Sequence, residues 1–88
     1  MVSKEEFKEE VWKVANEIHA EPKQIRVRSM KSKIGSCSSK KIITFDSSVL
    51  CLDEPFRREA IIHELLHLRY HNHGKLFKTV LKTYLNQV

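Results

Sequence analysis

Two glycines, two prolines, two cysteines and one tryptophan are all that this 88-residue chain holds of the residues that make breaks, crosslinks and large aromatic platforms. So little glycine and proline leaves no room for a flexible linker, and no repeat or compositional boundary interrupts the chain, so residues 1–88 read as a single domain. Cys37 and Cys51 are too few for a disulfide framework, and in a reducing compartment both are expected to remain thiols. No apolar run resembling a signal peptide follows Met1-Val2-Ser3-Lys4-Glu5-Glu6, and no stretch approaches the roughly 20 apolar residues of a membrane span. The expectation is a soluble cytoplasmic protein with no membrane attachment.

Charge, in contrast, is plentiful. With 31% charged and 41% hydrophobic residues the chain has the balance of a globular domain,. A net charge of +5 leaves an anionic partner such as nucleic acid open,. The cations, however, scatter from Lys23 to Lys41 and from Lys75 to Lys82 without interleaved aromatics, the pattern of a solubilising surface. A chain this short buries only about 60 to 65% of its unfolded surface, so its stability margin is narrow.

Ser3 and Glu6 form a capping-box pattern, and Phe7, Val11, Val14, Ala15 and Ile18 follow at helical spacing, predicting a first helix that ends near His19, ahead of Pro22. Ile25 and Val27 then alternate with Arg26 and Arg28 as in a half-buried strand, and Lys33–Ser38 and Lys41–Asp46 read as two more, with a turn near Ser39-Lys40. Connections this short predict an antiparallel meander, because a parallel pair needs a long crossover. Asp53, Glu54 and Pro55 are the start signals of a second helix. After Gly74, Leu76, Phe77, Val80, Leu81, Tyr84 and Leu85 form the apolar face of a third.

The second helix carries "HELLHLRYHNH", residues 63–73, with four histidines and one glutamate in eleven positions. At about 100° per residue His63 and His67 share one face, Glu64 sits at its edge, and Ile61, Ile62, Leu65, Leu66 and Leu68 spread over the other side. Arg58 and Arg69 fall inside that apolar arc, so the arc is expected to be split by an exposed stripe. Two neutral imidazoles one turn apart bind a single Zn²⁺, and the intervening glutamate then lies beside the metal, placed to act as the general base of a hydrolase.

A catalytic zinc usually has a third protein ligand and an open position. His71 lies about 12 Å along the axis from His63, whereas nitrogens on one zinc are at most about 4 Å apart, so a straight helix cannot supply all three. The third ligand must follow a turn, and His73, between Asn72 and Gly74, meets that demand. The expected centre is one Zn²⁺ per chain on His63, His67 and His73, with Glu64 as base and His71 outside the ligand set or exposed. A structural zinc would instead be closed by a fourth ligand, such as Cys37 or Cys51.

These residues, with "KSKIGSCSSKKI" upstream and the order helix, short sheet, active helix, final helix, resemble the YgjP-like metallopeptidase domain, related to the SprT-like zinc peptidases of the zincin group. The resemblance runs from about Phe7 to Leu81. It departs at Ile34, where the family often has tryptophan. It implies a minimal zincin-like α+β fold and a zinc peptidase in which His63, His67 and His73 match the ligands and Glu64 the catalytic glutamate. The spacing also matches the metzincin motif in part, but that motif needs glycine where this chain has Tyr70, and no later methionine is available for a Met-turn.

The resulting expectation is peptide-bond hydrolysis, with Glu64 taking the proton of a metal-activated water. An extended peptide or protein substrate would pair by strand addition along part of Ser36–Ile42, with Gly35, Ser36 and Cys37 as candidate substrate contacts. Tyr70 and Arg69 are candidates to assist the oxyanion, against the plainer reading of both as surface residues. The alternative from another class is a zinc-stabilised binding module without turnover, its basic surface docking on nucleic acid or an acidic partner. Glu64 counts against it, since a structural zinc needs no base. Composition is silent on substrate, cleavage preference and oligomeric state.

Overall fold

A computed structural model describes residues 1–31, 33–70 and 74–86. Helix α1 (Lys4–Glu17) begins with the capping box, Ser3 Oγ accepting from Glu6 N–H at 3.1 Å and Glu6 Oε1 accepting from Ser3 N–H at 3.0 Å. It ends at the cap residue Ile18. His19 follows in the left-handed region at φ 59, His19 N–H donates to the Asn16 carbonyl, and Ala20 N–H reaches back to that of Ala15. That is the Schellman arrangement with histidine in the place usually held by glycine.

Three strands follow, β1 (Gln24–Arg28), β2 (Gly35–Cys37) and β3 (Ile42–Asp46), in the spatial order β1-β3-β2. β2 and β3 form an antiparallel hairpin, Cys37 opposite Ile43 and Gly35 opposite Phe45, closed by a turn in which Lys41 takes φ 64. β1, however, lies parallel to β3, in register from Gln24 opposite Ile42 to Arg28 opposite Asp46. The expected all-antiparallel meander is therefore corrected to a mixed sheet. The chain satisfies the crossover requirement by using β2 itself within the connection: β1 ends with Arg28 opposite Asp46, β2 starts with Gly35 opposite Phe45 and runs back, and β3 inserts between the two earlier strands.

Asp46 fastens this crossing. Its carboxylate accepts from Met30 N–H at 2.7 Å and from Ser48 N–H at 3.0 Å, while its own N–H donates to the Ile34 carbonyl at 2.7 Å. The bond to Ser48 also caps a short 3₁₀ turn, Ser47–Cys51, which the hydrophobic pattern did not announce.

Helix α2 (Glu54–Leu66) starts after Asp53 with Pro55 in its first turn, and helix α3 (Lys75–Leu85) completes the order. The core lies between α1, the sheet and α2. Phe7, Val11, Ile43, Phe45, Val49, Ile61 and Ile62 are fully buried, and the Phe7 and Phe45 rings meet edge to face at 5.0 Å. Arg57 ties α2 to α1 through Glu10 and donates to the Leu52 carbonyl at 2.9 Å. Arg58 pairs with Glu17 at 3.4 Å, so the basic edge of α2 faces the acidic positions of α1. Arg69 lies beyond the end of α2 and donates to the His19 carbonyl at 3.1 Å. Leu76, expected on the apolar face of α3, is exposed, and Phe77 is that helix's buried residue. Cys37 and Cys51 are free thiols. Among the described residues no helix is long and apolar enough to cross a membrane.

Candidate metal centre

The last two turns of α2 decide the site. Ile61, Ile62, Leu65 and Leu66 go into the core, which turns His63 and His67 towards β2 and leaves Glu64 buried between helix and strand. His67 is the C-cap residue but keeps helical angles, φ −66 and ψ −12, so the two imidazoles stand one turn apart although the regular helix stops at Leu66. Their rings meet edge to face at 5.1 Å. His63, Glu64 and His67 each offer one ligand atom, and these atoms lie within 4.8 Å of one another. Among the described residues this is the group of histidine, cysteine and acidic side chains gathered closely enough to hold a metal.

Tautomers follow from the partners. His67 Nδ1 lies 3.0 Å from the Tyr70 carbonyl oxygen, an acceptor only, so Nδ1 carries the proton of the neutral ring,. A metal-binding histidine is commonly oriented through its other nitrogen in this way. The turn that follows α2 supplies that carbonyl, with Tyr70 N–H bonded to the Leu66 carbonyl at 2.8 Å. Glu64 Oε2 lies 3.1 Å from His63 Nδ1. The carboxylate is buried at 6% exposure, and among the described residues no buried side-chain polar atom lacks a partner.

Gly35 makes room for Glu64. A Cβ at Gly35 would stand 2.9 Å from Glu64 Cγ and 3.0 Å from the Thr44 carbonyl oxygen, so helix and strand approach this closely because residue 35 has no side chain,. On the other side Phe77 of α3 places its ring 5.3 Å from that of His63 and 5.0 Å from that of His67. Neither role was visible from spacing. Gly35 read as a substrate contact and Phe77 as ordinary core, and the one sequence signal for the first was a glycine inside a strand, which often marks close approach of another group.

Ser36 and Cys37 line the cleft above the imidazoles with Lys33 and Gly35, around a cavity of about 310 Å³. Partial burial and the nearby Glu64 carboxylate push the Cys37 thiol above its ordinary pKa, so it is held as a neutral thiol,. Tyr70 reaches the site through its carbonyl and lines a separate cavity with Ile18, His19 and Tyr84. His73 and His71 lie outside the described residues.

The centre suits a divalent metal on the chemistry of its donors: two imidazoles one turn apart, one with its tautomer set, and a buried carboxylate beside them,. Comparison with known proteins points the same way. The solved metallopeptidase zymogen jannalysin of Methanocaldococcus jannaschii shares 30% identity over 92% of this chain and 83% of its own, with a TM-score of 0.78. The metallopeptidase zymogen abylysin of Pyrococcus abyssi shares 25% identity over 86% of this chain and 76% of its own, with a TM-score of 0.75. No curated protein sequence matches. Residues 2–88 match the family model of the YgjP-like metallopeptidase domain, and the chain belongs to that family as a metallopeptidase.

Proposed function

We propose that residues 1–88 form a single peptidase domain that hydrolyses peptide bonds with one Zn²⁺ held by His63, His67 and His73 and with Glu64 as general base. The observation that carries this reading is the packing of His63, Glu64 and His67 within 4.8 Å of one another beneath the edge strand β2. Zinc, when bound, supplies Lewis-acid polarisation of the scissile carbonyl and of the attacking water. Glu64, fixed between Gly35 and His63, accepts a proton from that water and returns it to the leaving amine nitrogen as the carbon–nitrogen bond breaks. Phe77 and the Tyr70 carbonyl keep the imidazoles oriented. β2 pairs with β3 on one side and forms the edge of the sheet, so an extended peptide adds along Gly35, Ser36 and Cys37 by backbone hydrogen bonds,. The unpaired thiols of Cys37 and Cys51 suit a cytoplasmic setting,.

A zinc-stabilised binding module would leave a buried carboxylate beside the imidazoles without a task. Elemental analysis and a peptide-cleavage assay on the same preparations separate the two readings. About one zinc per chain is expected, lost or much weakened in His73→Ala. Glu64→Gln should keep the metal and the fold and lose at least about a hundredfold in turnover, the lower range for a general base. Unchanged turnover in Glu64→Gln would overturn the mechanism.

A further inference from the structure

Charge is divided unevenly over the fold. Residues 22–52, which hold the whole sheet, carry seven lysines and arginines and one acid, Asp46, whereas the rest of the chain carries nine such cations and ten acids. The net charge of +5 therefore belongs to the sheet, and the remainder of the chain is close to neutral. Strand register then decides where that charge stands. β1 turns Ile25 and Val27 into the core and Gln24, Arg26 and Arg28 outward, and pairing places Arg26 beside Thr44 of β3 and Thr44 beside Ser36 of β2. This rung crosses the face of the sheet opposite the one on which the core packs. The buried residues of the sheet, Ile25, Val27, Ile43 and Phe45, all lie on the inner face, and none lies on the outer one. Arg26 donates to Gln24 on the same face at 3.4 Å. Among the described residues neither Arg26 nor Arg28 has an ion pair, in contrast to Arg57 and Arg58, which meet glutamates of α1. Asp46 lies opposite Arg28, with its carboxylate taken by the N–H groups of Met30 and Ser48. Exposed lysines frame both ends of the face, Lys23 and Lys40 ahead of β1 and β3, and Lys31 after β1. Lys33 and Lys41 line the cleft cavities instead.

We propose that this outer face docks on the phosphate backbone of a nucleic-acid duplex. Arginine, lysine, serine, threonine and glutamine are the side chains that bond phosphate and sugar, and here they share one polar surface. The row Gln24, Arg26, Arg28 spans about 13 Å at about 3.3 Å per residue, and a duplex carries one negative charge per about 1.7 Å of its axis, so the row meets several phosphates at once. An acidic peptide offers sparser charge, at most one per about 3.3 Å of extended chain. The face has no aromatic side chain on which an unpaired base could stack, which argues against a single strand,. Its one apolar strand residue, Ile42, is half-buried, so the face offers no apolar surface to enter a lipid interface,. The metal centre lies on the other side of the sheet, with Gly35 and Cys37, so a duplex on the outer face leaves it open. The inference therefore stands whether or not the chain hydrolyses peptides.

The test is fluorescence anisotropy of a labelled DNA duplex of about 20 base pairs, titrated with the 88-residue chain between about 50 and about 200 mM salt,. Kd should be about micromolar at the lower salt and rise about 100-fold at the higher, the slope of about −4 in log K that four phosphate contacts give. Arg26→Gln with Arg28→Gln, both at exposed positions, should weaken binding at least about tenfold and bring the slope to about −2,. Lys31→Gln with Lys40→Gln, outside the strands, should also flatten the slope by about 2, and so keeps the proposal testable if the arginine pair fails to fold,. Lys78→Gln with Lys82→Gln removes the same charge from exposed positions of α3 and should change affinity by less than about threefold at the higher salt, where the screening length is about 8 Å,. Equal weakening by the α3 pair would make the attraction a property of the whole molecule and overturn the face. Binding that ignores salt, tighter binding to a single strand of the same length, or no binding at the lower salt would overturn it too. Tighter binding to polyglutamate, or to vesicles of anionic lipid, than to the duplex would assign the face to an acidic protein or to a membrane and overturn the proposal.

Discussion

Helices α1 and α3 flank the same helix, α2, and are built in opposite ways. α1 has a reciprocal capping box, a Schellman end and four buried apolar residues within its span, and two acidic side chains tie it to Arg57 and Arg58. α3 follows Gly74 with no side-chain cap and has one buried residue, Phe77. Thr79 and Thr83 turn their hydroxyls back onto the carbonyls of Lys75 and Thr79, each at 2.9 Å, a contact that slightly loosens a helix,. Yet α3 is the helix whose ring lies against both imidazoles. Stability is thus concentrated in the half that touches no chemistry, while the half that shapes the site depends on docking through Phe77.

That division is most open to attack at its two phenylalanines. Phe7→Ala removes a fully buried ring packed on Phe45 and should cost about 3 to 5 kcal/mol,. Against the roughly 4 to 13 kcal/mol available to a domain of this length, this takes away much of the fold. Phe77→Ala should cost less in urea unfolding, about 2 to 3 kcal/mol, because α3 can fray locally, but should weaken zinc by about 10 to 100-fold through the imidazoles it orients. In the parent, α3 amides should exchange with solvent faster than those of α1, and zinc should slow them more. Equal unfolding costs, with zinc affinity unaffected in Phe77→Ala, would make the two helices one cooperative unit and end the distinction.

Gly35→Ala sharpens it from the other side, as a defect of the site with little consequence for the anchor. The new methyl meets Glu64 Cγ, the movable end of a side chain, and the Thr44 carbonyl, which is backbone. The carboxylate gives way first, and a shift of about 1 Å in a general base is worth about a hundredfold in rate. Zinc content and the protection of α1 should stay as in the parent. Activity within twofold of the parent would show that Glu64 has slack and that Gly35 serves the strand alone.

The legibility of the molecule follows the same line. α1 was readable in full because its signals are local: the capping box, the spacing of Phe7, Val11 and Val14, and the proline beyond. His63, Glu64 and His67 were readable because one helical turn fixes their relation whatever surrounds them. The parallel pairing of β1 with β3 was not, since the short connections pointed to antiparallel neighbours and nothing local shows that β3, with Ile43 and Phe45, takes the centre of the sheet while β2 serves as part of the crossover. Leu76 read as buried from its period and Phe77 as ordinary core, because the direction in which a weakly capped helix docks is set by its partners. Gly35 under Glu64 is a contact across 29 positions, which no short-range pattern contains.

Asp46, the residue that ties down the unforeseen crossing, offers the smallest test and the most specific one. The Ser48 hydroxyl, with the N–H groups of Met30 and Ser48, stabilises its carboxylate and holds its pKa below the ordinary value of 3.8,. A carboxylate depressed in the folded state contributes stability in full above the unfolded pKa and loses it as pH falls through the lower folded value. Parent and Asp46→Asn should therefore differ in urea midpoint by a constant, modest amount at pH 5 to 7, with the parent more stable. The gap should narrow below about pH 4 as the parent alone loses the charge. Glu6, depressed by its bonds to Ser3, titrates in the same range but is common to both proteins and cancels in the difference. A gap that widened in acid would mean that the amide disrupts the crossing for reasons unrelated to charge. A gap absent at neutral pH would mean that the backbone bond from Asp46 to Ile34, and not the Asp46 side chain, holds the chain at the end of β3.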